Sequence, residues 1–194
     1  MKQADIIKNL TDKELLLNLY FTQFLMLGLA LIGSRILTGN WLYPFTFIQW
    51  NVNHIIIGIT AAVFVVVVEL ILAKFLPRKW FDDGGINERI FKGRHPLHIG
   101  FISLIVGISE EVMFRGLLQT TFGIIPASLI FALIHIRYLH NYFLFSFTIL
   151  LSFFLGFLFY LTENLLTVII CHMLIDMLLG LCIKYRLFLY NGQK

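Results

Sequence analysis

The sequence has little charge for its length. Asp, Glu, Lys and Arg make up 13% of the 194 residues, and hydrophobic residues make up 59%; a soluble domain usually carries about twice that share of charge. This excludes an ordinary soluble domain. Cysteine is also scarce, and the chain has two, Cys171 and Cys182. Both lie in one apolar segment, where they are too far apart along a helix to form a disulfide. The composition predicts a multi-pass membrane protein.

A net charge of +4 does not make nucleic acid an expected partner. The basic residues fall at the ends of apolar segments rather than on one soluble face, and that distribution is typical of membrane orientation. Membrane lipids are therefore the expected surroundings, with no nucleic acid.

Six apolar segments are long enough to predict membrane helices. The first follows a basic N-terminus, is too long for a signal-peptide core and has no small-residue cleavage site after it, so it is expected to be retained. A polar stretch at 77–98 separates the first two segments from the other four. The predicted spans are 15–37, 52–76, 99–118, 124–137, 142–161 and 165–183.

The predicted fold is an all-α, polytopic bundle of about six transmembrane helices in a single domain, 1–194. With the N-terminus in the cytoplasm, every Lys and Arg except Arg35 and Arg115 falls on the cytoplasmic side or at its border. The positive-inside rule therefore favours cytoplasmic N- and C-termini.

The third span contains three ionisable residues within six positions, Glu110, Glu111 and Arg115. Moving each into hydrocarbon costs about 3 kcal/mol on insertion scales. Because such residues are rarely present without a role, they predict a functional site. Glu111 and Arg115 are four apart and share a helix face, whereas Glu110 is rotated by about 100°. We expect Glu111 and Arg115 to pair and to hold Glu110 in place.

Two later spans carry further ionisable residues at the same spacing. His172 and Asp176 lie on one face of the sixth span, and His135 follows Phe131 by four residues at the end of the fourth. At about 1.5 Å per residue, Glu110 and His172 fall at similar depths, and His135 falls closer to the cytoplasmic side. Glu69, in the second span, is interpreted as a structural or interfacial residue.

These three motifs together resemble the CAAX protease and bacteriocin-processing (CPBP, or Abi) family of intramembrane proteases. They are Glu110-Glu111-x-x-x-Arg115, Phe131-x-x-x-His135 and His172-x-x-x-Asp176, in that order on separate apolar segments. The resemblance covers a core of about 99–183 and leaves a two-span extension at 1–98.

The resemblance implies an endopeptidase in which Glu110 and His135 activate a water while His172 and Asp176 complete the site. It also implies a membrane-associated peptide or protein as substrate, such as a bacteriocin or pheromone precursor or a prenylated protein, and a role in bacteriocin self-immunity. The short chain favours a peptide precursor and a bacterial plasma membrane.

Many members of that family have Asn where this chain has Asp176. An ionised aspartate cannot donate a hydrogen bond to an oxyanion, so Asp176 suits a metal ligand or a protonated donor better. Zinc held by Glu110, His135, His172 and Asp176 is one possibility. The other is a metal-free site in which Glu110 is the general base, and the sequence, which has no His-Glu-x-x-His motif, leaves both open.

Two other classes of function remain compatible with the residues. A proton- or ion-coupled carrier would use the intramembrane Glu, His and Asp as a relay. A non-catalytic immunity or scaffold protein would keep the fold without the chemistry. The oligomeric state is not indicated by any pattern in the sequence.

Overall fold

The computed structural model describes residues 10–187, and this part of the chain is helical with no β-sheet. Three of the predicted cytoplasmic charges, Lys2, Lys8 and Lys194, lie outside the described residues. We number the seven helices α1 Asp12–Thr38, α2 Val52–Phe75, α3 Ile86–Phe91, α4 Pro96–Phe122, α5 Ile124–Ile134, α6 Tyr142–Thr162 and α7 Leu165–Lys184.

Local sequence signals explain where these helices begin. Thr11 and Glu14 form a reciprocal capping box at the start of α1. Asn side chains cap α2, α6 and α7 by accepting hydrogen bonds from main-chain N–H groups in the first turn. Helix α4 begins with Pro96 in its first turn, where the absent N–H costs nothing.

Five helices are long and apolar enough to cross a membrane, namely α1, α2, α4, α6 and α7. The prediction of a fourth full span at 124–137 is wrong, because α5 is a helix of 11 residues and about 16 Å long. It ends where the His135 ring bonds to the carbonyl of Phe131. Helix α4 is longer than the predicted 99–118, since it continues to Phe122.

Both ends of the described chain lie at one end of the bundle. The Arg89 guanidinium pairs with Asp12 at 2.7 Å, and Asn141, before α6, donates to three main-chain carbonyls of residues 79–82. The last turns of α7 pack on α3, where Phe91 lies against Gly180. We call this the loop end of the bundle, defined by Asp12, residues 77–95, Asn141 and Lys184. Because α6 starts there, α5 and the segment at 135–141 together carry the chain back across the bundle.

Helix α4 lies at the centre, between α1 and α7, and α7 packs in turn on α2. A small residue allows the central contact, because a Cβ on Gly107 would lie 3.1 Å from the main-chain nitrogen of Met173 and 3.3 Å from the carbonyl oxygen of Ile169. Close approach of helix backbones through small residues is typical of membrane bundles. This crossing brings the middle of α4 against the middle of α7.

The second half of α4 is wound more loosely than an α-helix. Val112–Gln119 form a π-helix, beginning directly after the two glutamates. Wide turns of this kind are frequent at functional sites. The 3-10 helix Tyr43–Phe47 packs against it so closely that a Cβ on Gly116 would lie 2.5 Å from the Cβ of Pro44.

Candidate active site

The two adjacent glutamates of α4 are buried and face different partners. Glu110 is 5% exposed and Glu111 is 0% exposed. Arg115 Nε donates to Glu111 Oε2 at 3.2 Å, so the predicted ion pair is present. Glu110 does not belong to that pair, as the rotation between adjacent helix positions predicts.

Arg115 is completely buried, and each of its three guanidinium nitrogens donates a hydrogen bond. Its terminal nitrogens donate to Ser128 on α5 at 3.4 Å and to Ser152 on α6 at 2.9 Å, and the ring of Phe131 lies 5.4 Å away. A buried guanidinium is tolerated only when its charge and its donors are satisfied. Arg115 therefore ties α4 to α5 and α6 as well as to Glu111.

His172 on α7 is oriented by Glu111. Its Nδ1 donates to Glu111 Oε1 at 2.7 Å, which leaves Nε2 as the nitrogen that can accept a proton. Nε2 lies 3.9 Å from Glu110 Oε2 and 3.8 Å from Asp176 Oδ2. The Glu111–Arg115 pair thus orients His172 through Glu111. Glu110 and His172 lie side by side, as their similar predicted depths in the membrane imply.

The contact that holds Glu110 comes from α1. Gln23 Nε2 donates to Glu110 Oε1 at 3.3 Å, and the Ser109 hydroxyl donates to Gln23 Oε1. Sequence reasoning missed Gln23. The signal was available, since Gln23 is an amide in the middle of an apolar span, where an unpartnered polar group is costly.

His135 lies at the end of α5, with an orientation fixed by its own helix. Its Nδ1 donates to the carbonyl of Phe131 at 2.8 Å, and its ring stacks on Tyr138, with centroids 5.8 Å apart. The neutral ring then has Nε2 as its free acceptor. His135 is half-buried, on the loop-end side of His172, and both rings contact Phe131.

One cavity of about 1630 Å³ joins these side chains. Glu110, His135, His172 and Asp176 all line it, as do Gln23 and Glu69. Its inner wall is largely aliphatic and aromatic. Its rim at the loop end is charged, with Arg78, Lys79, Asp82, Asp83, Arg137 and Arg186.

Glu69 also borders the cavity, and its interpretation as a structural or interfacial residue stays a prediction. It lines the cavity from α2 and lies within electrostatic range of Asp176 on α7. The four predicted site residues and Glu69 thus share one space.

The predicted zinc site can be compared with the donor geometry. Within residues 10–187, no three His, Cys, Asp or Glu side chains are arranged to hold one metal ion. Three protein ligands around one point are the usual minimum for a catalytic zinc. The side chains as placed do not fit that ion.

The arrangement suits a water molecule between a base and a histidine. The 3.9 Å between Glu110 Oε2 and His172 Nε2 is too long for a direct hydrogen bond and leaves a gap that a bridging water can fill. Asp176 Oδ2 lies 3.8 Å from the same His172 nitrogen. A carboxylate, an oriented imidazole and a third polar group around a water are the parts of a hydrolytic site.

Residues 93–178 match the family model described as type II CAAX prenyl endopeptidase Rce1-like. The chain is also 38% identical over 140 residues to the uncharacterized protein YpbD of Bacillus subtilis (strain 168), an alignment that covers 71% of this chain and 74% of that protein. No solved structure matches the chain.

Proposed function

The chain belongs to the Rce1-like family of type II CAAX prenyl endopeptidases, and on that premise we propose that it hydrolyses a peptide bond of a membrane-associated peptide. It is a multi-pass membrane protein, and its family consists of CAAX-type intramembrane proteases.

One observation carries the proposal, namely the gap between Glu110, His172 and Asp176 inside a cavity that opens at the loop end. Three ionisable side chains at membrane depth cost free energy on insertion, and such residues usually mark a functional site. The Glu111–Arg115 pair is already neutralised by its own partners, so it is not available as the base. Glu110 is the carboxylate left beside the gap.

In the proposed reaction, Glu110 Oε2 removes a proton from the water as its oxygen attacks the carbonyl carbon of the scissile bond. The carbonyl oxygen becomes an oxyanion, to which the protonated carboxyl of Asp176 donates a hydrogen bond, while the acceptor Nε2 atoms of His135 and His172 face the water. The C–N bond then breaks, and the departing amine takes the proton back from Glu110. One water is consumed, one acid and one amine are released, and the enzyme returns to its starting protonation.

The shape of the cavity favours a substrate with an apolar body. Leu25, Met26 and Leu29 of α1 and Phe147 and Leu151 of α6 line its wall. The charged rim lies where a polar peptide end would leave the membrane. We propose a peptide precursor, such as a bacteriocin or pheromone precursor, as substrate and a bacterial plasma membrane as location, in keeping with the Bacillus relative.

The test is cleavage of candidate membrane peptides by the purified protein in proteoliposomes. Wild type should cleave a subset of them, with products identified by mass spectrometry, and Glu110→Gln should cleave none because the amide cannot take the proton. A chelator should leave the rate unchanged, because no step uses a metal. Loss of activity on chelation, restored by zinc, would overturn the metal-free mechanism.

The same variant distinguishes the other classes of function. A Glu110→Gln protein that still protects cells against a bacteriocin would indicate a scaffold or immunity role without catalysis. A proton or ion flux in the same proteoliposomes, together with no cleavage by wild type, would indicate a carrier.

A further inference from the structure

Helix α1 contributes little to the bundle except at a few positions. Of its 27 residues, those buried are Leu15, Gln23, Ala30 and Ser34, and eight of the others are large hydrophobic residues exposed on a surface suited to lipid. Ser34 bonds to the carbonyl of Ala30 within the same helix. Gln23 is therefore the buried residue of α1 whose polar group reaches across to another helix.

The partner of Gln23 is the proposed catalytic base. Its side chain is 8% exposed and donates from Nε2 to Glu110 Oε1 at 3.3 Å. Gln23 itself lies outside the 93–178 segment that matches the family model. The helix that precedes the matched core thus reaches into the site.

The direction of these hydrogen bonds follows from the chemistry of the groups. A carboxylate acting as a base can only accept, so the amide nitrogen of Gln23 must face Glu110. The amide oxygen then faces the Ser109 hydroxyl, whose single proton is shared between Gln23 Oε1 and the carbonyls of Ile105 and Val106 on its own helix. Ser109 precedes Glu110 on α4, and the two side chains of α4 hold the two ends of one amide.

We infer that Gln23, fixed by Ser109, is a positioning residue that holds Glu110 Oε1 and so directs Glu110 Oε2 toward the gap beside His172. This role rests on the proposed function, since it needs Glu110 to be the base. Gln23 does not contact the reacting atoms. It acts by limiting the rotation of the Glu110 carboxylate, whose other oxygen lies 3.9 Å from His172 Nε2.

The experiment is a double-mutant cycle on the purified full-length protein, with kcat and KM measured on a peptide that wild type cleaves. Gln23→Met keeps the length of the side chain and removes its hydrogen bonds, and it should lower kcat by about tenfold to a hundredfold with KM little changed. Ser109→Ala should lower kcat less, by roughly threefold to tenfold. In the Gln23→Met background, Ser109→Ala should have no further effect, because Ser109 acts through Gln23.

A second buried glutamine provides the matched control. Gln119, also on α4, is 9% exposed and donates to the carbonyl of Gly156, away from the gap. Gln119→Met should lower the melting temperature without the fall in kcat. If Gln23→Met does not fold, Gln23→Asn, which draws the amide back by one carbon, should give the same loss of kcat.

The outcomes separate this inference from the proposed function. If Gln23→Met retains wild-type kcat while Glu110→Gln is inactive, the positioning role is overturned and the peptidase stands. If the losses of kcat at Gln23 and Ser109 multiply in the double mutant, the two residues act independently, and the claim that Ser109 acts through Gln23 is overturned. If wild type cleaves no peptide in the panel, the proposed function fails, and the positioning role fails with it.

Discussion

Glu111 is the residue on which the site depends, although it is not the proposed base. Its two oxygens accept from two different helices, one from Arg115 on α4 and one from His172 on α7. A carboxylate between two donors orients both of them, and in a low-dielectric setting neither partner can be removed cheaply. The same side chain therefore stabilises the fold and fixes which nitrogen of His172 faces the gap.

Replacing Glu111 by Gln should affect stability and turnover together. The change leaves the Arg115 charge without a counter-charge, which costs about 3–5 kcal/mol when the partner is buried, and it turns an N–H toward one of the two donors. We expect a lower melting temperature and a lower kcat, measured by thermal unfolding in detergent and by peptide cleavage.

Glu88 provides the matched control, because it also pairs with a cation four residues on. The Lys92 ammonium donates to Glu88 at 2.6 Å and lowers the pKa of that carboxyl, but both side chains are nearly half exposed. Glu88→Gln should change stability by less than about 1 kcal/mol and leave kcat unchanged. Equal effects at the two positions would contradict the role given to Glu111.

Asp176 can be tested for two roles, as a hydrogen-bond donor or as a carboxylate that the reaction requires. If its task is to donate a hydrogen bond to the oxyanion, Asp176→Asn keeps a donor of the same shape and should retain turnover. Asp176→Leu removes the donor and should lower kcat by about 10²–10³. Parallel cleavage assays measure both, and an Asn variant as inactive as the Leu variant would show that the carboxylate itself is required.

At the scale of the helices, the close crossing of α4 and α7 sets the distance between Glu111 and His172. Gly107→Val would place side-chain atoms where the main chain of Met173 lies, 3.1 Å from a Cβ. Because that neighbour is backbone rather than a flexible side chain, the helices must separate. Overpacking of this kind costs about 1–3 kcal/mol, and the variant should lose both stability and kcat.

Gly100 on the same helix is the control for this substitution. A Cβ there would meet the Met177 sulfur at 3.5 Å, an ordinary contact with the movable end of a side chain. Gly100→Val should keep most of the activity, measured by the same cleavage and unfolding assays. A Gly107→Val protein as stable and active as Gly100→Val would show that the crossing tolerates separation.

The helices also show which features can be predicted from the sequence and which depend on packing. Long apolar runs predicted six spans, and five of them are present because length and composition determine them. Four-residue spacing predicted the Glu111–Arg115 pair. The short α5 and the π-helix at Val112–Gln119 were not predictable, since both depend on packing. Gln23 was missed because its partner is 87 residues away, and spacing arguments reach only within one helix.

On the scale of the whole molecule, the path of the chain restricts the sidedness of the site. The start of α1, the 77–95 segment, the start of α6 and the end of α7 share the loop end, which also has the charged rim of the cavity. Most of the Lys and Arg residues fall at this end. The positive-inside rule then predicts that the loop end is cytoplasmic and that substrates reach the cavity from that side or from the bilayer.

Cysteine labelling of intact cells tests this orientation. Lys79 lies at the loop end and Asn40 at the opposite end, and both are exposed, so Lys79→Cys and Asn40→Cys report on the two sides. The native Cys171 and Cys182 are buried and should give little background. A membrane-impermeant maleimide should label Asn40→Cys in intact cells and Lys79→Cys only after permeabilisation. Labelling in the reverse order would place the loop end and the mouth of the cavity outside the cell, and the proposed substrates would then have to be reached from the exterior.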